Sequence, residues 1–87
     1  MKVLDLPIDM IATFTGTRNP IPYKFRYMDR SGERIEVKID RITRTETMHL
    51  SGEPVILYTC QSRIGDFVRL YELKYIIPQY RWELHKI

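Results

Sequence analysis

Residues 23–40 read Tyr23-Lys24-Phe25-Arg26-Tyr27-Met28-Asp29-Arg30-Ser31-Gly32-Glu33-Arg34-Ile35-Glu36-Val37-Lys38-Ile39-Asp40, and this stretch decides the fold. Apolar and charged residues alternate on both sides of a Gly-containing turn. In a strand successive side chains point to opposite faces. Tyr23, Phe25 and Tyr27 therefore share one face, and Lys24 and Arg26 the other. Ile35, Val37 and Ile39 repeat the pattern against Arg34, Glu36 and Lys38. Gly32 reaches positive φ at no steric cost, so the two runs predict a β-hairpin. With Arg30-Ser31-Gly32 as the loop, Asp29 opposes Glu33. Tyr27 then meets Ile35, Phe25 meets Val37 and Tyr23 meets Ile39. A slip of one residue would destroy every apolar match. On the outer face Arg26 meets Glu36, while Lys24 meets Lys38, a like-charge pair with no packing gain.

Downstream, Val55 to Gln61 is a β-branched and aromatic run, apolar on both faces, which predicts a central strand. Ser62 to Asp66 forms a turn, and Phe67 to Tyr75 is a long strand. Pro78-Gln79 breaks the chain before Tyr80, Trp82 and Leu84 alternate with Arg81, Glu83 and His85. A return there pairs Tyr75 with Trp82, Leu73 with Leu84, Lys74 with Glu83 and Glu72 with His85. Upstream, Met10 to Thr15 reads as a short strand and Thr17 to Pro20 as a turn. Residues 43–52 are polar and read as a loop or one helical turn. The expected organisation is a single domain over residues 1–87, with a strand or loop lead-in over 1–20, a basic hairpin over 21–42 and a β-meander over 54–87. The expected fold class is all-β, a small five- or six-stranded antiparallel barrel, SH3-like or related, rolled to hide its edges. Its core is expected to hold Phe25, Tyr27, Ile35, Val37, Ile39, Leu57, Leu70, Leu73, Trp82 and Leu84.

Composition bounds the rest. The chain has 87 residues, of which 44% are hydrophobic and 29% charged, a balance that suits a folded chain and excludes a disordered one. Cys60 is the only cysteine, so neither an intrachain disulfide nor a cysteine-rich zinc site can form. Asp5, Pro7 and Asp9 interrupt the apolar N-terminus, which is unlike a secretory signal, and no run approaches the roughly 20 apolar residues of a spanning helix. No membrane association is expected, and a free thiol without a signal points to the cytoplasm.

No residue pattern names a catalytic group. Cys60 lies mid-strand, away from any helix N-terminus or evident base, so it reads as core. His49 and His85 have no metal-ligand spacing with it, and no phosphate-binding glycine loop is present. The expectations are no enzyme, no metal, no cofactor and no small-molecule ligand. Charge says more. Residues 18–44 carry eight basic and four acidic side chains, net +4, while residues 45–87 carry five of each. Lys24, Arg26, Arg34, Lys38 and Arg41 are expected to share the hairpin's solvent face. A basic sheet face is one way to hold single-stranded nucleic acid; it is also how an edge is guarded against aggregation. Tyr71, Tyr75 and Tyr80 are candidates for an aromatic surface beside a core Trp82. The leading expectation is a non-catalytic binding or accessory module that contacts a protein, or a copy of itself, through a strand edge. Nucleic-acid binding is the alternative.

Several stretches also carry a resemblance: Phe25-Arg26-Tyr27, Lys38-Ile39-Asp40-Arg41-Ile42, Cys60-Gln61-Ser62, Tyr71-Glu72-Leu73-Lys74-Tyr75 and Trp82-x-Leu84-x-Lys86-Ile87. From about Met10 onward the chain resembles a family of short bacterial proteins to which no activity is assigned. That resemblance implies a small stand-alone bacterial domain and no particular reaction. More faintly, the strand–turn–strand ending in Trp82-x-Leu84 is similar to the small β tail domain of error-prone DNA-polymerase relatives.

Overall fold

The computed structural model describes all 87 residues. Eight strands follow one another: β1 (Val3–Pro7), β2 (Asp9–Thr13), β3 (Ile21–Met28), β4 (Arg34–Lys38), β5 (Arg41–Leu50), β6 (Glu53–Ile64), β7 (Phe67–Ile76) and β8 (Arg81–Lys86), with one short 3₁₀ turn at Ile77–Gln79. They form two antiparallel sheets, a large one ordered β1-β8-β7-β6-β5 and a small one ordered β2-β3-β4. The all-β class holds, but there are more strands than the five or six expected. The difference lies at two corners. Only Ile8 separates β1 from β2, and only Ile39-Asp40 separates β4 from β5. At each corner a continuous run leaves one sheet and enters the other. Backbone bonds hold the corners: Ile8 N–H donates to the Trp82 carbonyl at 3.2 Å, Ile39 N–H to Tyr23 at 2.9 Å and Asp40 N–H to Gln61 at 3.2 Å. The ladders do not join into one closed cylinder.

The hairpin forms in the expected register. Tyr27 opposes Ile35, Phe25 opposes Val37, Arg26 opposes Glu36 and Lys24 opposes Lys38. Asp29 fixes the turn, its carboxylate accepting from the Ser31 and Glu33 backbone N–H groups and the Ser31 hydroxyl. These bonds hold the Asp29 carboxyl below the usual carboxylate range. Tyr23 departs from the pattern. The β2–β3 register shifts between Ile11 and Ala12, which face Lys24 and Pro22, so Tyr23 is an extra residue in the ladder. This bulge puts Pro22 in the interior and leaves Tyr23 51% exposed instead of packed on Ile39.

One core joins both sheets. Phe25, Val37 and Ile39 pack with Ile56, Tyr58, Cys60, Tyr71, Leu73, Tyr75, Trp82 and Leu84. Four expected core residues stand elsewhere. Leu57 opposes Lys74 and lies half-buried on the outer face of the large sheet. Leu70 opposes Gln61 on that same face and is 54% exposed. Tyr27 and Ile35 flank the core half-buried, near the hairpin tip. Residues 43–52 are neither loop nor helix: β5 runs unbroken to Leu50, and only Ser51 and Gly52 turn.

Candidate interaction surfaces

β5 is the outermost strand of the large sheet, and β6 is its only ladder partner. Its sequence, Arg41-Ile42-Thr43-Arg44-Thr45-Glu46-Thr47-Met48-His49-Leu50, is rich in β-branched residues that fit a pleated surface. Ser51 and Gly52 both take positive φ, 52° and 82°, as a two-residue primed turn requires. In such a hairpin the flanking pair, here Leu50 and Glu53, exchanges backbone hydrogen bonds, and the next pair does not. That next pair is His49 with Pro54, and Pro54 has no N–H to donate. The alternation then turns the backbone groups of Met48, Glu46 and Arg44 toward β6. Those of Thr45, Thr47 and His49 point away from the sheet. No backbone hydrogen bond outside the ladders reaches Arg41–Leu50, so these outward groups are unpaired within the chain. On the outer face the Arg44 guanidinium lies 3.2 Å from the Glu46 carboxylate.

The expected basic face is largely present. Lys24, Arg26, Arg34 and Lys38 share the outer face of the small sheet with Glu36, Asp9 and Ile11. Two of the four cations are neutralised. Arg26 donates to Asp9 through two nitrogens at 2.8 and 3.2 Å, and Lys24 pairs with Glu36 at 3.3 Å. Arg34 and Lys38 make no ion pair with any carboxylate of the chain. Shallow clefts of about 190 and 150 Å³ lie on either side of Arg26. Arg41 is not part of this face. It lies beyond the Ile39-Asp40 corner, opposite Gln61 in the large sheet. Tyr23, next in the chain to Lys24, is the one aromatic that this region exposes.

The expected tyrosine surface does not form. Tyr71 is fully buried and Tyr75 nearly so, because both face inward from β7 onto Phe25 and Trp82. Tyr80 is 84% exposed, but it stands alone in a left-handed conformation after the 3₁₀ turn. Cys60 is fully buried, and burial pushes its thiol up to about 12, so it stays protonated near neutral pH. No group of three His, Cys, Asp or Glu side chains is close enough to hold a metal ion.

Sequence reading missed a polar cluster on β1, β7 and β8. Glu72 pairs with Lys86 and Leu73 with Leu84, so His85 is an extra residue in β8 and cannot face Glu72 as expected. β1 shifts register at the same place, between Val3 and Leu6, and Asp5 there takes φ 45°. Aspartate tolerates that left-handed conformation better than most residues. The two irregularities bring the Asp5 carboxylate onto His85 Nδ1 and within 3.0 Å of the Lys74 ammonium. Lys74 also lies 3.2 Å from Glu83, whose side chain is 7% exposed and takes a second bond from Arg81 at 2.8 Å. Burial opposes the charge on Asp5, but His85 and Lys74 outweigh it and hold the carboxyl below its usual range. Burial likewise opposes the Lys74 charge, and Asp5 and Glu83 outweigh it and raise its pKa. Every cation in this cluster has an anion, and the arrangement braces β1 against β8. The signal that could have shown it is the charge order Lys74/Glu83, which the expected register already aligned. The bulges that add Asp5 and His85 leave no mark in the sequence.

No protein-family model, no curated protein and no solved structure matches the chain.

Proposed function

We propose that this chain is a non-catalytic binding module of the bacterial cytoplasm that takes an extended protein segment onto the free edge of β5. On this reading its two bent sheets are an opened variant of the SH3-like small barrel. The observation that carries the proposal is the ten-residue edge strand with the outward backbone groups of Thr45, Thr47 and His49 unpaired. An extended peptide added there gains main-chain hydrogen bonds, each worth about 0.5–1.5 kcal/mol net. Natural edges are usually blunted by proline, a central lysine or a covering loop. β5 has no proline and no lysine, its one bulge, at Thr43, lies near its start, and β6 is its only strand neighbour.

The test is a displayed library of extended peptides, selected on the wild-type protein and counter-selected on Thr45→Pro. Thr45 does not use its N–H toward β6, so proline at this position removes an outward donor and leaves the ladder to β6 in place. Selected peptides should shift the amide resonances of Thr45, Thr47 and His49 and lose binding to the variant. Peptides that perturb other strands, or bind the variant equally, would overturn the proposal.

One observation favours a second reading, nucleic-acid binding. The β3 bulge exposes Tyr23 next to Lys24, whose opposite neighbour is Lys38, so an aromatic ring and free positive charge stand together. Stacking plus phosphate contact is the usual chemistry of single-strand binding. The two unpaired cations, Arg34 and Lys38, would give a log–log salt slope of about −1.4 on single strands, and Lys24 would steepen it only by leaving Glu36. Retention on single-stranded DNA or RNA should show that slope and disappear in Lys24→Glu plus Lys38→Glu. Unchanged affinity in the double variant would exclude this reading.

A further inference from the structure

We propose that the occupant of the β5 edge is a second copy of the same chain, paired antiparallel about a two-fold axis through Thr45. This inference rests on the reading of β5 as a free edge and names its partner. A two-fold normal to the sheet keeps each face on its own side, so residues that oppose each other must share a face. The regular part of the strand, residues 44–50, begins after a bulge at Thr43; centres at Met48 or His49 oppose no two charges, which leaves Thr45, Glu46 and Thr47 to compare. Centring on Glu46 sets two carboxylates face to face. Centring on Thr47 sets Glu46 against Met48 and Arg44 against Leu50, with no charge matched. Centring on Thr45 sets Arg44 against Glu46 of the second copy, and Glu46 against its Arg44, so two cross-strand ion pairs form on the outer face.

The backbone agrees with the charges. Thr45 is one of the residues whose N–H and carbonyl point outward, so the two copies of Thr45 exchange hydrogen bonds across the axis. Within one chain Arg44 and Glu46 already touch at 3.2 Å, two residues apart along the strand. The Arg44 side chain remains 71% exposed in that contact. Self-pairing moves each charge onto a directly opposed neighbour, the closer geometry in a sheet. The product is a continuous sheet of ten strands, five from each copy. A single strand-to-strand seam is a small interface, so the dimer belongs to the weak class, with Kd roughly 10⁻⁵–10⁻³ M.

Sedimentation equilibrium over a wide concentration range tests this. Wild type should pass from monomer to dimer. Arg44→Glu creates two like-charge contacts and should weaken the dimer by about tenfold or more. Arg44→Glu combined with Glu46→Arg should restore it, and Thr45→Pro should be monomeric throughout. Arg44 is exposed, so its variants keep the fold even if the proline variant does not. A wild-type monomer at every concentration overturns self-pairing, as does a dimer that survives Thr45→Pro. A dimer indifferent to Arg44→Glu overturns the register. If wild type is monomeric but selected peptides still map to Thr45, Thr47 and His49, self-pairing fails and the binding edge stands. If neither occurs, both fail. A dimer held instead by nucleic acid would dissociate on nuclease treatment, which also counts against self-pairing.

Discussion

The Ser62 hydroxyl carries three contacts. It donates to the Lys38 carbonyl at 2.8 Å, accepts the hydroxyl of Tyr71, and receives the Asp40 backbone N–H at 3.4 Å. Lys38 and Asp40 straddle the corner where the chain leaves the small sheet, so one buried serine sets that bend against β6 and β7. Asp40 adds its carboxylate to the Arg63 backbone N–H at 2.8 Å. Tyr71→Phe removes only the hydroxyl that Ser62 accepts. It should lower stability by about 1 kcal/mol in urea denaturation. Tyr80→Phe, at an exposed ring with no partner, should change it by less than about 0.5 kcal/mol. At this scale the sequence was least legible. Tyr71, Tyr75 and Tyr80 have the same chemistry, and which hydroxyl meets a buried serine depends on packing between distant strands. Cys60 was legible as core, because a mid-strand thiol among apolar neighbours has nothing to ionise it.

Among the elements, the hairpin of β3 and β4 was readable in register from Lys24 to Lys38, because that register matches Phe25 with Val37 and Tyr27 with Ile35 and Asp29 caps the turn; only the bulged Tyr23 escaped it. β5 was hidden for the opposite reason. Edge strands need no apolar face on their open side, so Thr43, Thr45 and Thr47 produced a polar stretch without the alternation that marks a strand. Arg26 stands in register with an acid on each side, and it pairs with Asp9 of β2 rather than Glu36 of β4, which leaves Glu36 to Lys24 and relieves the conflict with Lys38. Where β1 meets β8, the depressed Asp5 pKa has a definite pH signature. The native carboxyl ionises more readily than the unfolded one, whose ordinary value is 3.8. Its contribution is therefore present above that value and lost as pH falls through the lower native one. Lys74 is shifted the other way; its contribution is present below its ordinary 10.5 and lost as pH rises beyond the native value. Wild type should thus exceed Asp5→Asn in urea midpoint near neutral pH, with the gap closing as pH falls below about 4. A gap that stays constant into acid would show that Asp5 acts through its backbone conformation alone.

For the whole molecule, the all-β class and a mixed aromatic–aliphatic core followed from alternation, but the division into two sheets did not. The Ile39-Asp40 corner has no proline or glycine to mark it, and at Ile8 only the preceding Pro7 hints at a bend. The order of the large sheet also has a kinetic consequence. Each of β5, β6 and β7 finds its next neighbour one tight connection away, and β2, β3 and β4 are likewise joined in chain order. β1 alone waits for the far end of the chain, where Val3 pairs with Lys86 and Leu6 with Leu84. During synthesis β1 emerges before the other seven strands, yet its partner β8 emerges after all of them. Closing so long a loop is entropically costly before any contact compensates it. The N-terminal strand should join a sheet whose hairpins are already formed, and the slowest folding phase should be its docking.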